Sequence, residues 1–562
     1  MSLRKLLLST AVATSMFLPA QAEDVGGYLA ARSAIAESDF AEAAQYFSRA
    51  LARDPGNVFL LENATTAYLG LGDLERATPV ARRLIQSGSS SQLAGLVLFG
   101  DAARNGNWDA NLADLDAGLT VGPLFDGLTR AWALVGDGRM TEALEAFDTV
   151  SANQGVEAFG LYHKALALSS VGDFENAAEI FSGDTGTTIR LTRRGLIAYV
   201  EVLSQLERNE TAIELVEASF GTNLDPLLED LVERLRSGET LPFTTVREPV
   251  DGMAEVYYSI ASALSGEAQP SYTLLYSRMA ANLRPDHTDA LLMSAELLED
   301  LGRYDLATDV YDTVPRDHPA FHAAELGRAE ALRRSGREDA AIEVLQQLTE
   351  SHGDLPLVHV TLGDTLRGME RFEEAIGPYN NALALVDEPD EQHWIVFFAR
   401  GIAFERTKEW EKAEADFRRA LELRPEQPQV LNYLGYSFLE MQINLEEALD
   451  MIERAVTLRP DSGYIIDSLG WGLYRVGRYA EAVGHMEKAV ELMPIDPVVN
   501  DHLGDVYWAV GRELEARFQW RRALSFDPEP DELIRIRRKL EVGLDVVLEE
   551  EGAEPLHVAK DG

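Results

Sequence analysis

The chain contains no cysteine among its 562 residues. Disulfide bonds, thiolate metal sites and a cysteine nucleophile are therefore excluded. The sequence also has none of the lipid-accepting cysteines that bacterial lipoproteins carry. The stability of the fold must come from packing alone, and a long repeat array can supply such packing.

Basic residues are scarce in this sequence. Lys and Arg total 50 against 94 Asp and Glu, which gives a formal net charge of −44. Such a surface repels phosphate backbones and anionic lipids, so we expect no nucleic-acid partner. The acidic residues are spread along the chain, which is typical of a solvated surface that resists aggregation. Long-range attraction of a basic partner is the alternative interpretation.

Apolar runs long enough to span a membrane are missing as well, and the stretch that comes nearest lies at the N-terminus. Arg4 and Lys5 precede an apolar stretch at 6–18, and residues 20–22 fit a small-x-small cleavage site. Polar residues interrupt the stretch, which is too short to span a bilayer comfortably. We therefore predict a cleaved signal peptide at 1–22 and an exported chain without a transmembrane segment. An uncleaved membrane anchor is the alternative.

Common enzyme motifs are also missing from the sequence. It has no Walker or dinucleotide-binding fingerprint and no Gly-x-Ser-x-Gly turn. His318 and His322 are four residues apart, but the glutamate of a zinc-protease motif is missing and Pro319 interrupts the helical register, which favours a chance pair over a metal site. We therefore predict that the chain is not an enzyme and holds no cofactor or metal.

What the sequence does have is self-similarity at a period of about 34 residues. Gly435, Gly470 and Gly504 each follow a leucine and lie 35 and then 34 residues apart. The same spacing recurs in two further sets, Ala420, Ala455, Ala489 and Ala523, and Pro425, Pro460, Pro494 and Pro528. The one extra residue falls at 442–444, in a turn where an insertion costs little.

Each period predicts two helices. The unit that starts at Gly463 carries an apolar stripe at positions i, i+3, i+4 and i+7. Gly477 interrupts the pattern, a second apolar helix follows, and Pro494 ends it because proline cannot continue a helix interior. Gly470 and Ala482 are small because two helices approach closely only where the side chains at their crossing are minimal. Larger side chains there would cost about 1–3 kcal/mol.

These features resemble the tetratricopeptide repeat: small residues at the helix contacts, an aromatic or aliphatic residue after the glycine, and a final proline. The resemblance covers most of the chain in roughly thirteen or fourteen units. It implies an all-α fold, a right-handed α-solenoid of antiparallel helix pairs. The predicted order is a degenerate array at 23–220, a joint at 221–252, a regular array at 253–530, a capping helix at 531–548 and a disordered acidic tail at 549–562.

Two of these segments, the joint and the capping helix, each have an alternative interpretation. The joint contains loop chemistry at 237–242 and 248–252 and is either a flexible hinge or an ordered insertion. The segment 531–548 is unusually basic. A solenoid exposes its last hydrophobic face unless a helix caps it, so we favour a structural cap over a basic docking site.

The resemblance implies that the first helix of each pair lines a concave groove in which a partner binds. Carrying the groove positions of the family onto this chain gives Asn432, Tyr436, Tyr464, Asp467, Trp471, Tyr474, Asp501, Asp505 and Trp508. Aromatic side chains supply large contact area at low entropic cost, and the carboxylates would select basic segments. Chaperone-binding members clamp a terminal carboxylate with lysines and asparagines, a ligand class that the aspartates here disfavour. The alternative is that Trp471 and Trp508 are core residues wedged between hairpins.

The runs at 467–471 and 500–505 are similar to those of exported bacterial repeat proteins. Some of these are adaptors that deliver substrates, such as cell-wall hydrolases, to a carboxy-terminal-processing protease. The similarity implies a non-enzymatic scaffold or adaptor, located in the periplasm or at the periphery of the outer membrane, that binds an envelope protease or a cell-wall hydrolase. A structural assembly factor of an envelope or outer-membrane complex is the alternative.

Overall fold

The structure, a computed structural model, describes residues 25–183, 189, 191–221 and 224–553. Within these residues the chain forms 31 α-helices, one short 3-10 helix and no strand. The prediction of an all-α solenoid built from helix pairs is confirmed. The chain divides into two compact units, Met1–Leu345 and Gln346–Gly562, which are described separately. The predicted signal peptide, 1–22, lies outside the described residues.

Eighteen helices lie wholly in the first unit. They are α1 (Val25–Ala36), α2 (Phe40–Leu51), α3 (Val58–Gly70), α4 (Leu74–Gln86), α5 (Gln92–Arg104), α6 (Trp108–Asp116), α7 (Pro123–Gly136), α8 (Met140–Ser151), α9 (Glu157–Ser170), α10 (Phe174–Ser182), α11 (Arg193–Gln205), α12 (Asn209–Phe220), α13 (Pro226–Arg236), α14 (Pro249–Leu264), α15 (Pro270–Leu283), α16 (Thr288–Asp300), α17 (Tyr304–Tyr311) and α18 (Phe321–Arg334). The next helix, α19 (Glu338–Ser351), contains the boundary between the units.

The second unit continues with twelve α-helices and the 3-10 helix, Glu391–His393. They are α20 (Pro356–Gly368), α21 (Phe372–Ala384), α22 (Trp394–Arg406), α23 (Trp410–Leu423), α24 (Pro428–Met441), α25 (Leu445–Leu458), α26 (Gly463–Arg475), α27 (Tyr479–Leu492), α28 (Pro497–Ala509), α29 (Glu513–Leu524), α30 (Pro530–Val542) and α31 (Leu544–Glu550).

Consecutive helices pack as pairs because small residues let them approach closely. A Cβ atom added at Gly470 in α26 would overlap Met486 in α27, and one at Gly504 in α28 would overlap the Trp520 ring in α29. Tight turns join the two helices of a pair. Gly72, for example, has a φ of +76°, a left-handed conformation that costs glycine little.

The segment that the sequence assigned to a joint is an ordered insertion inside the first unit. After α13 the chain runs extended to α14, and the buried Glu201 carboxylate accepts hydrogen bonds from the backbone N–H of Thr244 at 3.0 Å and of Thr245 at 3.3 Å. Arg284 Nη1 donates to the Thr245 carbonyl at 2.6 Å. The contact boundary falls instead within α19, after Leu345.

The helices that follow this insertion cover the inner face of the N-terminal pairs. Helix α14 packs across α5, α7 and α9, and α15 packs on α3 and α5, all of them first helices of their pairs. Met253 and Tyr257 of α14 are fully buried, and the Tyr257 hydroxyl donates to the Leu96 carbonyl at 2.5 Å. The face that the resemblance assigned to a ligand is therefore occupied by the chain itself in this unit.

The 34-residue pattern does not predict this packing, although the composition of α14 indicates a helix that is buried on all sides. The residues from 251 to 257 are buried on every side of the helix, whereas a helix on a surface shows one apolar stripe. Gly252 lies so close to the Trp132 ring that an added Cβ atom would overlap the ring, and one at Gly100 would overlap Met279. Glycine at these two crossings allows α14 and α15 to enter the inner face.

A buried ionic network also fixes α14. Glu255 is fully buried and accepts a hydrogen bond from Arg194 Nε of α11 at 2.7 Å, and His287 Nε2 lies 3.2 Å from the same carboxylate oxygen. Burial alone would raise the pKa of Glu255. The Arg194 guanidinium and His287 outweigh burial and hold this pKa well below its usual range. Glu255 is therefore ionised, and it joins α14 to α11.

His163 of α9 completes the attachment. Its Nδ1 accepts a hydrogen bond from Trp132 Nε1 at 3.1 Å, and its Nε2 lies 3.1 Å from Ser259 Oγ in α14. Burial lowers the pKa of His163 to about 4. The imidazole is therefore neutral at pH 7, as its role of acceptor requires.

Replacing His163 with Asn should reduce the loss of stability at acid pH. The unfolded chain binds a proton at His163 below about pH 6.5, whereas the folded chain does so only near pH 4. Stability is therefore lost as pH falls through this window, by up to about 3 kcal/mol. Asn keeps an acceptor for Trp132 but does not titrate. Urea unfolding at pH 7, 5.5 and 4.5 measures the effect, and an equal pH dependence in both proteins would contradict it.

The close approach of α14 gives a second prediction. Gly252→Ala should lower the free energy of unfolding by about 1–3 kcal/mol, because the new Cβ meets the Trp132 ring. Gly484→Ala in α27 is the matched control, since no atom lies within 4 Å of its added Cβ, and it should be neutral or stabilising by up to about 1 kcal/mol. Thermal unfolding followed by circular dichroism compares the two variants.

Candidate functional site

A groove lies open on the first helices of the second unit. Helices α24, α26 and α28 contact one another in sequence, and a cavity of about 530 Å³ opens over them and the end of α22. Four of the nine residues predicted for the groove line this cavity: Asn432, Tyr436, Tyr464 and Asp467. We call this cavity the open groove. Residues that sequence analysis did not select also line it, among them Glu405, Arg406, Trp410, Glu440 and His502.

The four predicted residues contribute different surfaces to the open groove. Tyr464 is 48% exposed and presents its ring to solvent. Tyr436 is half-buried in the wall. Asn432 is buried, and its carbonyl oxygen Oδ1 has no hydrogen-bond partner within the described part of the chain. A buried acceptor without a partner costs about 1–3 kcal/mol.

Asp467 is held by the neighbouring helix. Its two carboxylate oxygens each lie 3.1 Å from His502 Nδ1 of α28. Burial lowers the pKa of His502, but the Asp467 carboxylate more than reverses this effect, so the pKa is raised overall. The Asp467–His502 pair therefore forms part of the groove wall.

Trp471 and Tyr474 belong to the core between hairpins. The Trp471 ring stacks on His502 with centroids 4.0 Å apart and on Tyr474 with centroids 4.8 Å apart. Trp471 Nε1 donates to Glu440 Oε1 at 3.1 Å. Both side chains are buried, and neither lines the open groove. The packing favours the alternative in which Trp471 is wedged between helix pairs.

Asp501 and Asp505 are covered by α30. Lys539 Nζ lies 2.6 and 2.7 Å from the two oxygens of Asp501 and 2.6 Å from Asp505 Oδ1, and Lys539 has no exposed surface. Trp520 Nε1 also donates to Asp505 at 2.8 Å. Burial raises the pKa of Asp501 to about 6, although Lys539 opposes the shift. These two aspartates therefore bind the chain's own lysine.

Trp508 is covered in the same way. Its Nε1 donates to Asp545 Oδ2 of α31 at 2.9 Å, and Gly543 lies against its ring with a φ of +90°. This glycine divides the predicted single helix at 531–548 into α30 and α31. Helix α31 extends to Glu550, so the first residues of the predicted tail are helical, and residues 554–562 lie outside the described part of the chain.

The predicted site is therefore smaller than the sequence implied. Trp471 and Tyr474 stack between hairpins, Asp501 and Asp505 pair with Lys539 of α30, and Trp508 packs against Gly543 and bonds to Asp545 of α31. The physical reason is that an added helix covers the side of its predecessor, and a carboxylate covered in this way recruits a cation from that helix. Arg535 of α30 adds to this neutralisation, since its Nη1 lies 3.3 Å from Asp505 Oδ2, whereas Arg538 forms an exposed pair with Glu550.

His318 and His322 form no metal site with their neighbours. His318 Nε2 lies 3.1 Å from Thr288 Oγ1, and its Nδ1 accepts a hydrogen bond from the backbone of Ala320. Across the described ranges, no three His, Cys, Asp or Glu side chains gather in a way that could hold a metal ion.

In the same ranges no helix combines the length and the apolar character needed to cross a membrane.

Comparison with known proteins finds the same repeat in several places. Family models described as tetratricopeptide repeat match residues 34–97, 292–356, 360–428 and 398–463. A TPR repeat-containing protein of Pseudomonas aeruginosa is 26% identical over 163 residues, which are 29% of this chain and 27% of that protein. A Haemophilus influenzae protein named lipoprotein NlpI homolog is 36% identical over 92 residues, 16% of this chain and 28% of that protein.

The chain thus matches only about a quarter of the length of these two curated relatives. Among solved structures, the APC/C hetero-tetramer Cut9–Hcn1 aligns at a TM-score of 0.38 and 13% identity, over 92% of this chain and 96% of that chain.

Replacing the buried lysine tests whether α30 closes the end of the unit. Lys539→Met should destabilise the protein by about 3–5 kcal/mol, because it leaves Asp501 and Asp505 buried with one cation fewer. Lys488→Met, which removes an exposed lysine paired with Glu491, should change little. Chemical unfolding of both variants is the measurement. Equal stability of the two would show that the buried contact is not needed.

Proposed function

We propose that this chain is a non-enzymatic scaffold or adaptor that binds a protein partner in the open groove. Its matches to models of the tetratricopeptide repeat, a repeat that mediates protein–protein interactions, support the proposal. The partner would contact Tyr436 and Tyr464, which line the groove beside the buried Asn432. The partner-binding set is thereby reduced to these residues and to the groove wall around Asp467.

One observation carries this proposal. In the first unit α14 and α15 pack across the inner face, and in the second unit α30 covers Asp501 and Asp505 of α28, whereas a cavity lies open over α24 and α26. There the buried Asn432 keeps an acceptor without a partner, next to the half-exposed Tyr464. Uncovered aromatic surface beside an unsatisfied polar group is what a peptide-binding groove requires.

We place this activity in the bacterial periplasm. The N-terminal sequence, with its charged start, apolar stretch and small-residue cleavage pattern, supports export. The similarity to a protein named as a lipoprotein supports an envelope location, although this chain has no cysteine to carry a lipid. Partners of this kind include an envelope protease or a cell-wall hydrolase. A structural assembly role in an envelope or outer-membrane complex is the competing function.

Site-specific photo-crosslinking in the periplasm tests the proposal. A benzophenone amino acid at position 464 should crosslink a defined partner, because Tyr464 stands half-exposed in the open groove. The same amino acid at position 518 is the control, since Phe518 is an aromatic residue of the same unit that is 57% exposed and does not line the groove. Mass spectrometry of the adducts identifies the partner.

The outcome also separates the two functions. Recovery of a protease together with its substrates supports an adaptor, whereas recovery of one fixed envelope complex supports the structural role. Tyr464→Ala should then weaken binding of the recovered partner by roughly tenfold or more, as for an interface hot spot, with little change in stability because the ring is half-exposed. Equal crosslinking from positions 464 and 518 would contradict a groove-specific partner.

A further inference from the structure

The first unit contains a cavity of about 610 Å³ between the start of α15 and the helices α3 and α5. We call it the hydroxyl cavity. Its volume lies within the range of about 300–1,000 Å³ that is usual for small-molecule sites. We propose that it binds an uncharged saccharide, which stacks on Tyr272 and donates hydroxyl hydrogens to Glu62. This inference goes beyond the proposed function, because it concerns another set of helices and another class of ligand.

Hydroxyl groups make up most of the polar lining of this cavity. Seven of the fifteen lining residues carry one, and three of these stand in a row at 89–91, in the loop before α5. Within the described residues no hydrogen bond occupies the side chains of Ser89, Ser90 and Ser271. A hydroxyl group both donates and accepts, as the hydroxyls of a sugar do. Such a wall can therefore match a polyhydroxylated ligand.

The lining of the hydroxyl cavity carries little charge. Glu62 of α3 is its one carboxylate, and no lysine, arginine or histidine lines it in the described part of the chain. The first turns of α5 and α15 both line the cavity, and the partial positive charge of a helix N-terminus offsets a nearby negative charge. This balance favours an uncharged ligand over an anion or a cation.

Glu62 is held in a position to accept hydrogen bonds from a ligand. Ser91 Oγ, which caps α5, donates to Glu62 Oε1 at 2.8 Å, and the glutamate side chain is half-buried. A carboxylate has about four acceptor sites, so further sites remain for sugar hydroxyls. Where this chain binds an ammonium group, it uses two carboxylates, Asp501 and Asp505 around Lys539. The hydroxyl cavity has one carboxylate and lacks that arrangement.

Tyr272 supplies the apolar surface on which a sugar ring stacks. Its side chain is 42% exposed, and its hydroxyl lies 3.1 Å from the Tyr276 hydroxyl. The two rings meet edge to face with centroids 5.4 Å apart, and Tyr276 meets the buried Phe125 ring in the same way at 6.4 Å. The core therefore fixes the Tyr272 ring from behind, so that little conformational freedom is lost when a ligand stacks on it.

A glycan array probed with the full-length protein tests the inference. The protein should retain at least one of three uncharged sugars, maltotriose, cellotriose and the trimer of N-acetylglucosamine. Retention should not fall as salt is raised from about 50 to about 500 mM, since screening does not weaken contacts of an uncharged ligand. Tyr272→Ala should lower the affinity for the retained sugar roughly tenfold or more, whereas Tyr272→Phe should keep it, because the ring face remains.

The matched control for the ring is Tyr464→Ala. It removes a tyrosine of similar exposure, 48% against 42%, from the open groove and should bind the sugar normally.

Glu62→Gln should also weaken binding by about tenfold, because hydrogen bonds to a charged acceptor are stronger than those to an amide. Glu75→Gln, at an exposed residue of α4 that does not line the cavity, should have no effect. Isothermal titration calorimetry with the retained sugar measures all of these variants, and circular dichroism verifies that they stay folded.

Three results would overturn the inference: retention of charged glycans alone, an equal loss of binding in Tyr272→Ala and Tyr464→Ala, or retention of none of the three uncharged sugars. None of them bears on the partner of the open groove, which the crosslink from position 464 tests separately.

Discussion

Close approach between helices is the constraint on which the rest of the structure depends. Gly470 and Gly504 leave room for Met486 and Trp520 within helix pairs, and Gly252 leaves room for Trp132 where α14 crosses the inner face of the first unit. Larger residues at such crossings would separate the helices or force strained side chains. With no cysteine in the chain, these contacts have no covalent support, so the fold relies on packing and on a few buried ion pairs.

The buried charges follow from how helices are added. Each helix that stacks on its predecessor removes water from carboxylates on the covered side, and a desolvated carboxylate is costly unless a cation accompanies it. The chain supplies that cation from the covering helix: His502 for Asp467 and Lys539 for Asp501. In the first unit the order is reversed, because Arg194 of α11 pairs with Glu255 of the later helix α14. Aspartates that the sequence offered as ligand-binding groups are therefore largely neutralised within the fold.

The helix pairs could be predicted from the sequence because their signals are local. The positions of Gly470, Ala482 and Pro494 within one period determine where two helices begin, cross and end. The path of α14 across α5, α7 and α9 depends on contacts between residues far apart in the chain, such as Tyr257 with Leu96, and no periodic pattern records them. Asp505 likewise pairs with a lysine of α30 and Trp508 with an aspartate of α31, and both helices lie outside the repeat pattern.

The same logic distinguishes the open groove from the covered faces of the second unit. Covered faces are recognisable by carboxylates that hold a cation from the next helix and by aromatic rings that have found a stacking partner. Glu405 and Glu440 instead accept hydrogen bonds from uncharged donors, Tyr464 is half-exposed and Asn432 has an unused acceptor. The exposed Tyr464 ring and the buried, unpaired acceptor of Asn432 are the two features of α24 and α26 that support the proposed partner site.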